Sequence, residues 1–197
     1  MRRRALQRQV ARLLARLLVD RSGTAMIELA FCAMLLVTMY AGTYVLNDAV
    51  ACNRKVARTA RAITDMTTRY PAVTATDLTE ILTSGAYVLA PFATASSASR
   101  VSEIQVIDAS HAKVIWSKAS NGNDLAKGTV LALPKGLAPA MMIPDPAASP
   151  PRAGAYFILG ETRYNYTPLF GASIMPAPTL YAKVYMLPRL SDQVPLS

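Results

Sequence analysis

The sequence is poor in the residues that chemistry most often uses. One histidine, His111, and two cysteines, Cys32 and Cys52, stand among 197 residues. So few imidazoles and thiols give no zinc-ligand spacing, and no calcium loop, GxGxxG turn or Walker loop occurs. Ser110 adjoins His111, yet no glycine-framed nucleophile and no third partner accompany them, so no triad can be identified. His111 falls in a turn between two strands and reads as a surface polar residue. The chain therefore reads as a non-enzyme without cofactor, metal or small-molecule substrate. Cys32 and Cys52 lie on one helical stretch about 30 Å apart, far beyond disulfide reach. Cys32 reads as apolar filler; Cys52 is either an inert thiol or half of a bridge to another subunit. The domain must rely on a packed core, not on disulfides.

Acidic residues are also scarce: twelve Asp and Glu against twenty-one Lys and Arg, a net charge of +9. The excess is concentrated at one end. Residues 1–23 carry seven arginines (2, 3, 4, 8, 12, 16, 21) against Asp20 alone, a local charge of +6. Residues 24–197 carry fourteen basic and eleven acidic side chains, a local charge of +3. Nucleic-acid binding needs a basic groove with interleaved aromatics, and the larger part of the chain offers none.

What the sequence does have is one long apolar run, Thr24 to Leu46, broken only by Glu28. Twenty-three helical residues at about 1.5 Å each cross a hydrocarbon core of about 30 Å. The run is too long for the core of a secretory signal, which spans about 7–15 residues. By the positive-inside rule the arginine flank holds the N-terminus in the cytoplasm and sends the remainder across the membrane. Within the flank, Arg8, Arg12 and Arg16 recur opposite Leu6, Val10, Leu14 and Leu17. That pattern suits a mitochondrial presequence or a helix lying on the anionic cytoplasmic leaflet; the anchor directly behind it favours the leaflet. Glu28 costs about 2.5–3.5 kcal/mol at a bilayer centre and less near its edge. It needs a partner.

Beyond the run the helical period continues. Ala49, Cys52, Val56, Ala60 and Ile63 fall on one face, and Arg54, Arg58, Arg61, Asp65 and Arg69 on the other. Arg61 and Asp65 can pair at i,i+4, in the weaker orientation. Tyr70-Pro71 ends the helix. A short helix is expected over 77–84, capped by Asp77 with Glu80 as reciprocal acid and Gly85 at its exit. Residues 93–100 read as a polar loop. The period then becomes two: a strand around 103–108, a second over Lys113–Lys118, and an Asn121-Gly122 turn. The first two strands read as a hairpin. Six prolines make 134–151 an irregular crossing. Tyr156–Thr167 and Leu180–Leu187 supply the last strands, with Thr162, Tyr164 and Tyr166 on one face. The tyrosines 156, 164, 166, 181 and 185 read as cross-strand packing rather than as an adhesive face. The fold class is α+β, a long helix against a small antiparallel sheet of about four strands.

Gly23, Thr24 and Glu28 stand together as Gly-Thr-Ala-Met-Ile-Glu between the basic leader and the apolar helix. This resembles the type IV prepilin processing signal, a glycine followed five residues later by glutamate. The resemblance implies a cut between Gly23 and Thr24 by a prepilin peptidase on the cytoplasmic side. Glycine presents no side chain to the protease and leaves the backbone unwound ahead of the helix. The new amine at Thr24 would lie about 6 Å along the axis from Glu28. In an assembly, the amine of one subunit can face the Glu28 of its neighbour, which offsets burial of the carboxylate.

The segment Ser22-Gly-Thr-Ala-Met-Ile-Glu-Leu-Ala-Phe31 with Ala57-Arg-Thr-Ala-Arg-Ala62 resembles the N-terminal part of TadE-like pseudopilins of the tight-adherence (Flp/Tad) pilus. Gly160-Glu-Thr-Arg-Tyr-Asn-Tyr-Thr-Pro-Leu-Phe170 is similar to their periplasmic strand with its aromatic, Pro-Leu turn. Thr24 differs from the phenylalanine that opens the mature helix of type II secretion pseudopilins, which argues against that branch. The resemblance implies a type IV pilin-like fold in four parts: a leader (1–23), a transmembrane helix (24–46), its periplasmic extension (47–70) and a periplasmic α+β domain (71–197). It implies a minor pilin in a bacterial inner membrane, with a prepilin peptidase, other pilins and the pilus assembly platform as partners. The other reading is an uncleaved, membrane-anchored periplasmic scaffold or binding domain.

Overall fold

A computed structural model describes Ala15 and residues 22–169 and 178–197. The amphipathic pattern of the leader and Phe170 lie outside the described residues. The chain divides into two units, Met1–Leu46 and Asn47–Ser197.

The apolar run forms the first half of α1 (Ser22–Thr68). From Gly23 to Tyr40 every side chain is exposed, including Met26, Phe31 and Leu35. So much unbroken apolar surface marks an interaction site rather than a water-facing one, and length and composition make this helix a candidate membrane span. Its internal hydroxyls are already satisfied. Thr38 donates to the Met34 carbonyl at 2.8 Å and Thr43 to that of Met39 at 2.9 Å, so neither leaves an unpaired hydroxyl donor on the apolar surface.

In the second unit, the later half of α1 and α2 (Ala75–Tyr87) accompany an antiparallel sheet in the order β3-β2-β1-β4-β5. The strands are β1 (Ser97–Val106), β2 (His111–Ser120), β3 (Val130–Ala132), β4 (Tyr156–Asn165) and β5 (Thr179–Met186). The class is α+β, as the periodicity indicates. β1 and β2 form the hairpin expected of them. The short β3 was not anticipated, and Asn121, at φ 55°, turns the chain after β2.

The amphipathic face of α1 packs as its spacing requires: Cys52, Val56, Ala60 and Ile63 are fully buried, while Arg54, Arg58 and Arg61 face out. Ile63 joins Leu78, Ile81 and Leu82 of α2 against Val101, Trp116 and Ile158 of the sheet. The opposite sheet face, with Ile104, Val106, Val114, Phe157 and Leu159, is covered by Leu137, Ala138, Met142 and Ile143 of the proline-rich crossing. Between the two faces lies a bulge. Glu103 pairs with Trp116 and Ile104 with Val114, so Ile115 is an extra residue in β2. It flips the alternation, sending Val114 and Trp116 to opposite sides.

Several local expectations need correction. Helix α2 starts a turn earlier than expected: Thr74 is the cap and Asp77 its reciprocal acid, with Asp77 N–H to Thr74 Oγ1 at 3.1 Å and Thr74 N–H to Asp77 Oδ2 at 2.8 Å. Thr-x-x-Asp fits the capping box as well as Asp-x-x-Glu. Gly85 does not end this helix. It lies inside it, where a Cβ would sit 2.2 Å from Ile63 Cγ2, so the glycine serves helix–helix contact. Residues 97–100 belong to β1; Ser97 and Ser99 are buried, and Ser99 hydrogen-bonds Thr162 at 3.2 Å. Paired hydroxyls replaced the apolar alternation that would have revealed the strand. Asp65 pairs not with Arg61 but with Arg69 and Arg189, each at 2.5 Å; Asp before Arg is the favoured order at i,i+4. The tyrosines divide between both faces. Tyr164 and Tyr166 are buried with α1, whereas Arg163 stacks over the Tyr181 ring at 5.3 Å.

Helix α1 lies along β4 through alternate residues. Gly160 is the closest point: a Cβ there would stand 1.9 Å from Thr64 Oγ1 and 2.9 Å from the Ala60 carbonyl oxygen. Gly160→Ala is expected to destabilise the fold by about 1–3 kcal/mol, the usual range for overpacking. Adding Thr64→Ala, which removes the nearer atom, should recover part of that loss. Chemical denaturation of the full chain in detergent micelles measures both.

Candidate functional site

Gly23, Thr24 and Glu28, the expected processing residues, lie at the start of the described part of α1. Ser22 and Gly23 are already helical, so Gly23 does not sit in an unwound segment ahead of the helix; that expectation is corrected. The apolar residues that follow favour helix strongly enough to draw the glycine in, at a cost of about 1 kcal/mol relative to alanine. Gly23, Thr24 and Glu28 are all exposed. A Cβ on Gly23 would meet nothing within 4 Å. Thr24 and Glu28 are four residues apart, so they share a helix face, about 6 Å apart along the axis.

Cys52 is fully buried beside Val56 and Leu89. Burial first, and then the nearby Asp48 carboxylate, push its thiol up to about 11. A thiol so buried and so weakly acidic is inert, which leaves no access for a bridge to another subunit.

The single histidine belongs to a surface turn. Asp108 Oδ1 accepts from the Ser110 N–H at 2.7 Å, and Ser110 Oγ and Asp108 Oδ2 both approach Nδ1 of His111, at 3.1 and 2.9 Å. These bonds, the Ser110 N–H foremost, hold the Asp108 carboxyl down to about 2. A relay needs the acid and the serine on different ring nitrogens. Here both use the same one, so the arrangement closes a hairpin and activates no nucleophile. Among the described residues no group of three or more His, Cys, Asp or Glu is placed to hold a metal ion.

One buried acid was missed from the sequence. Glu103, 1% exposed, accepts from the Val194 N–H at 2.6 Å, while Trp116 Nε1–H donates to the Val194 carbonyl at 2.7 Å. The segment after β5 is thereby held on both of Val194's backbone groups. It continues through Val73 N–H to Pro195 O at 3.0 Å and Ser197 N–H to Val73 O at 2.9 Å. Glu103, Trp116, Asp124, Lys127 and Gln193 line a shallow groove of about 500 Å³ beside it. Nothing in the period-two pattern distinguishes Glu103 from a solvent-facing glutamate, because its partner lies ninety-one residues away.

Comparison with family models, with curated proteins and with solved structures finds no match to this chain.

Burial is the leading influence on Glu103, and it raises its pKa above the ordinary 4.5. The fold then binds this proton more tightly than the unfolded chain, so the associated stability is full below about pH 4.5 and is lost as pH rises through the folded value. Relative to Glu103→Gln, the wild-type unfolding free energy should fall as pH rises above 4.5. Parallel pH-dependent denaturation of the two proteins checks the sign.

Proposed function

We propose that this chain is a TadE-like minor pilin or pseudopilin, a non-enzymatic subunit that supports biogenesis of an adhesive Flp/Tad-type pilus from a bacterial inner membrane. One observation carries the reading. A basic leader, then Gly23-Thr24 and Glu28, open a helix whose first half is apolar on every side. The long helix laid against an antiparallel sheet supports it.

In this reading a prepilin peptidase cuts between Gly23 and Thr24 and leaves a positive amine in lipid. The Glu28 of a neighbouring subunit meets that amine. Opposite charges in a medium of low dielectric attract strongly, and the pair sets the stagger between neighbouring helices. An unpaired carboxylate would instead favour the subunit's withdrawal toward the headgroups.

The open space at Gly23 makes the test clean, because Gly23→Ala adds a methyl group that touches nothing. N-terminal sequencing of membrane-extracted protein should give a chain starting at Thr24, and Gly23→Ala should retain the leader. An intact leader in the wild type would favour the scaffold reading instead. Glu28→Gln should insert normally but reduce surface fibres severely. Normal piliation by that variant would remove the charge pairing from the mechanism.

A further inference from the structure

Between Asn47 and Ser197 the fold engages most of its arginines. Asp65 takes Arg69 and Arg189, each at 2.5 Å. Arg100 pairs with Glu161, and Arg163 lies over the Tyr181 ring. Arg152 donates to the Ile143 and Ala140 carbonyls at 3.2 and 3.0 Å. The arginines that remain are Arg54, Arg58 and Arg61. All are exposed, and none makes a hydrogen bond, ion pair or ring contact with another described residue.

These three fall at i, i+4 and i+7 on the outer face of α1, a single stripe about 10 Å long. Val50, 50% exposed, and the exposed Ala57 continue the same stripe. No acid occurs from Ala49 to Thr64, where Lys55 is a further basic residue. No other acid-free stretch of this unit holds basic residues so densely. The acids that bracket it are engaged: Tyr166 donates to Asp48 at 2.7 Å, and Asp65 holds its two arginines. Like charges one turn apart weaken a helix, and an anionic partner laid along the stripe would reverse that effect.

A second copy of the chain is not that partner. Its own stripe would repel this one. Among the described acids beyond Asn47, only Glu80 and Asp192 make no hydrogen bond or ion pair, and they stand on separate elements. The copy therefore presents no row of free carboxylates.

We propose that the Arg54–Arg58–Arg61 stripe is a docking surface for a helix of a different protein chain, one that carries a row of carboxylates. Val50 and Ala57 would form the apolar strip on which that helix lies, and the guanidinium forks would clasp its carboxylates. Arginine is the cation enriched at protein interfaces, where lysine is depleted. Guanidinium groups on successive turns of one helix match carboxylates spaced the same way on another; lipid headgroups at a flat surface impose no such spacing. The inference rests on the pilin reading only in making that chain a neighbouring subunit, and it gives that neighbour its chemistry.

Cross-linking in cells of the source organism tests the stripe on the full chain. p-Benzoylphenylalanine replaces Ala57, or Met141, which is 79% exposed and adjoins the residues covering the opposite sheet face. After irradiation, mass spectrometry identifies the joined chain and peptide. The expected adduct forms from position 57 and not from 141, with one different chain, at a segment whose Asp or Glu residues recur every three or four positions. Changing Arg54, Arg58 and Arg61 together to Gln should lower its yield at least about tenfold. Arg58→Glu should abolish it, and Lys in place of the facing acid should restore it, which excludes a folding defect as the cause. An adduct with lipid, an adduct with a second copy, an unchanged yield in the Gln variant, or no adduct overturns the docking proposal. The pilin reading answers separately. A mature chain starting at Thr24 preserves it in each of those cases; the expected adduct from a chain that keeps its leader upholds the docking surface and removes the pilin reading.

Discussion

The contact between α1 and β4 at Gly160 governs the rest of the domain. Helix and sheet meet there so closely that a methyl group would collide with Thr64. With that spacing set, the alternate residues of β4 reach the helix in order, Ile158 near Ile63, Tyr164 near Cys52 and Val56, and Tyr166 at Asp48. Four buried threonines of α1 satisfy their own hydroxyls, Thr64 among them at the Gly160 contact: Thr59, Thr64 and Thr67 return theirs to carbonyls four residues back, and Thr68 returns its own to Asp65. The helix thus presents a buried face that is half apolar and half self-satisfied polar. A bulkier apolar side chain at Thr64 would push the sheet away.

Helical elements were far more legible than strands. The apolar and charged faces of α1 beyond its apolar half could be read residue by residue because a single 3.6-residue period governs them from Ala49 to Asp65. The limits of α2 could not, because two overlapping capping boxes compete at its start and Gly85, which suggests an exit, instead packs within the helix against Ile63. β1 was read too short, since its first half buries serines, and β3 was missed because three residues carry no measurable period. Glycines misled in a consistent way. Gly23 and Gly85 suggest helix boundaries, whereas both lie in helical backbone and the second is a contact between two helices.

The proposed processing motif is local in sequence, a glycine, a threonine and a glutamate within six residues, and so can be read from the sequence alone. Glu103 and Val194 were not visible because their relation exists only after the sheet has formed. The same division separates the two halves of the chain. In the apolar half of α1, polar groups find partners within the helix itself, as Thr38 and Thr43 do. In the domain, helix threonines such as Thr64 do the same, and only there do polar groups such as Glu103, Asp65 and Tyr166 also find described partners far along the chain.

The supernumerary Ile115 works as a key between the two central strands. Slide β2 by one position against β1 and the indole of Trp116 swings to the proline-covered side, leaving the Val194 carbonyl without its donor. The wrong alignment forfeits an aromatic anchor and a hydrogen bond at a stroke. A sheet this small, with few neighbours to enforce alignment, is thereby confined to a single thread count.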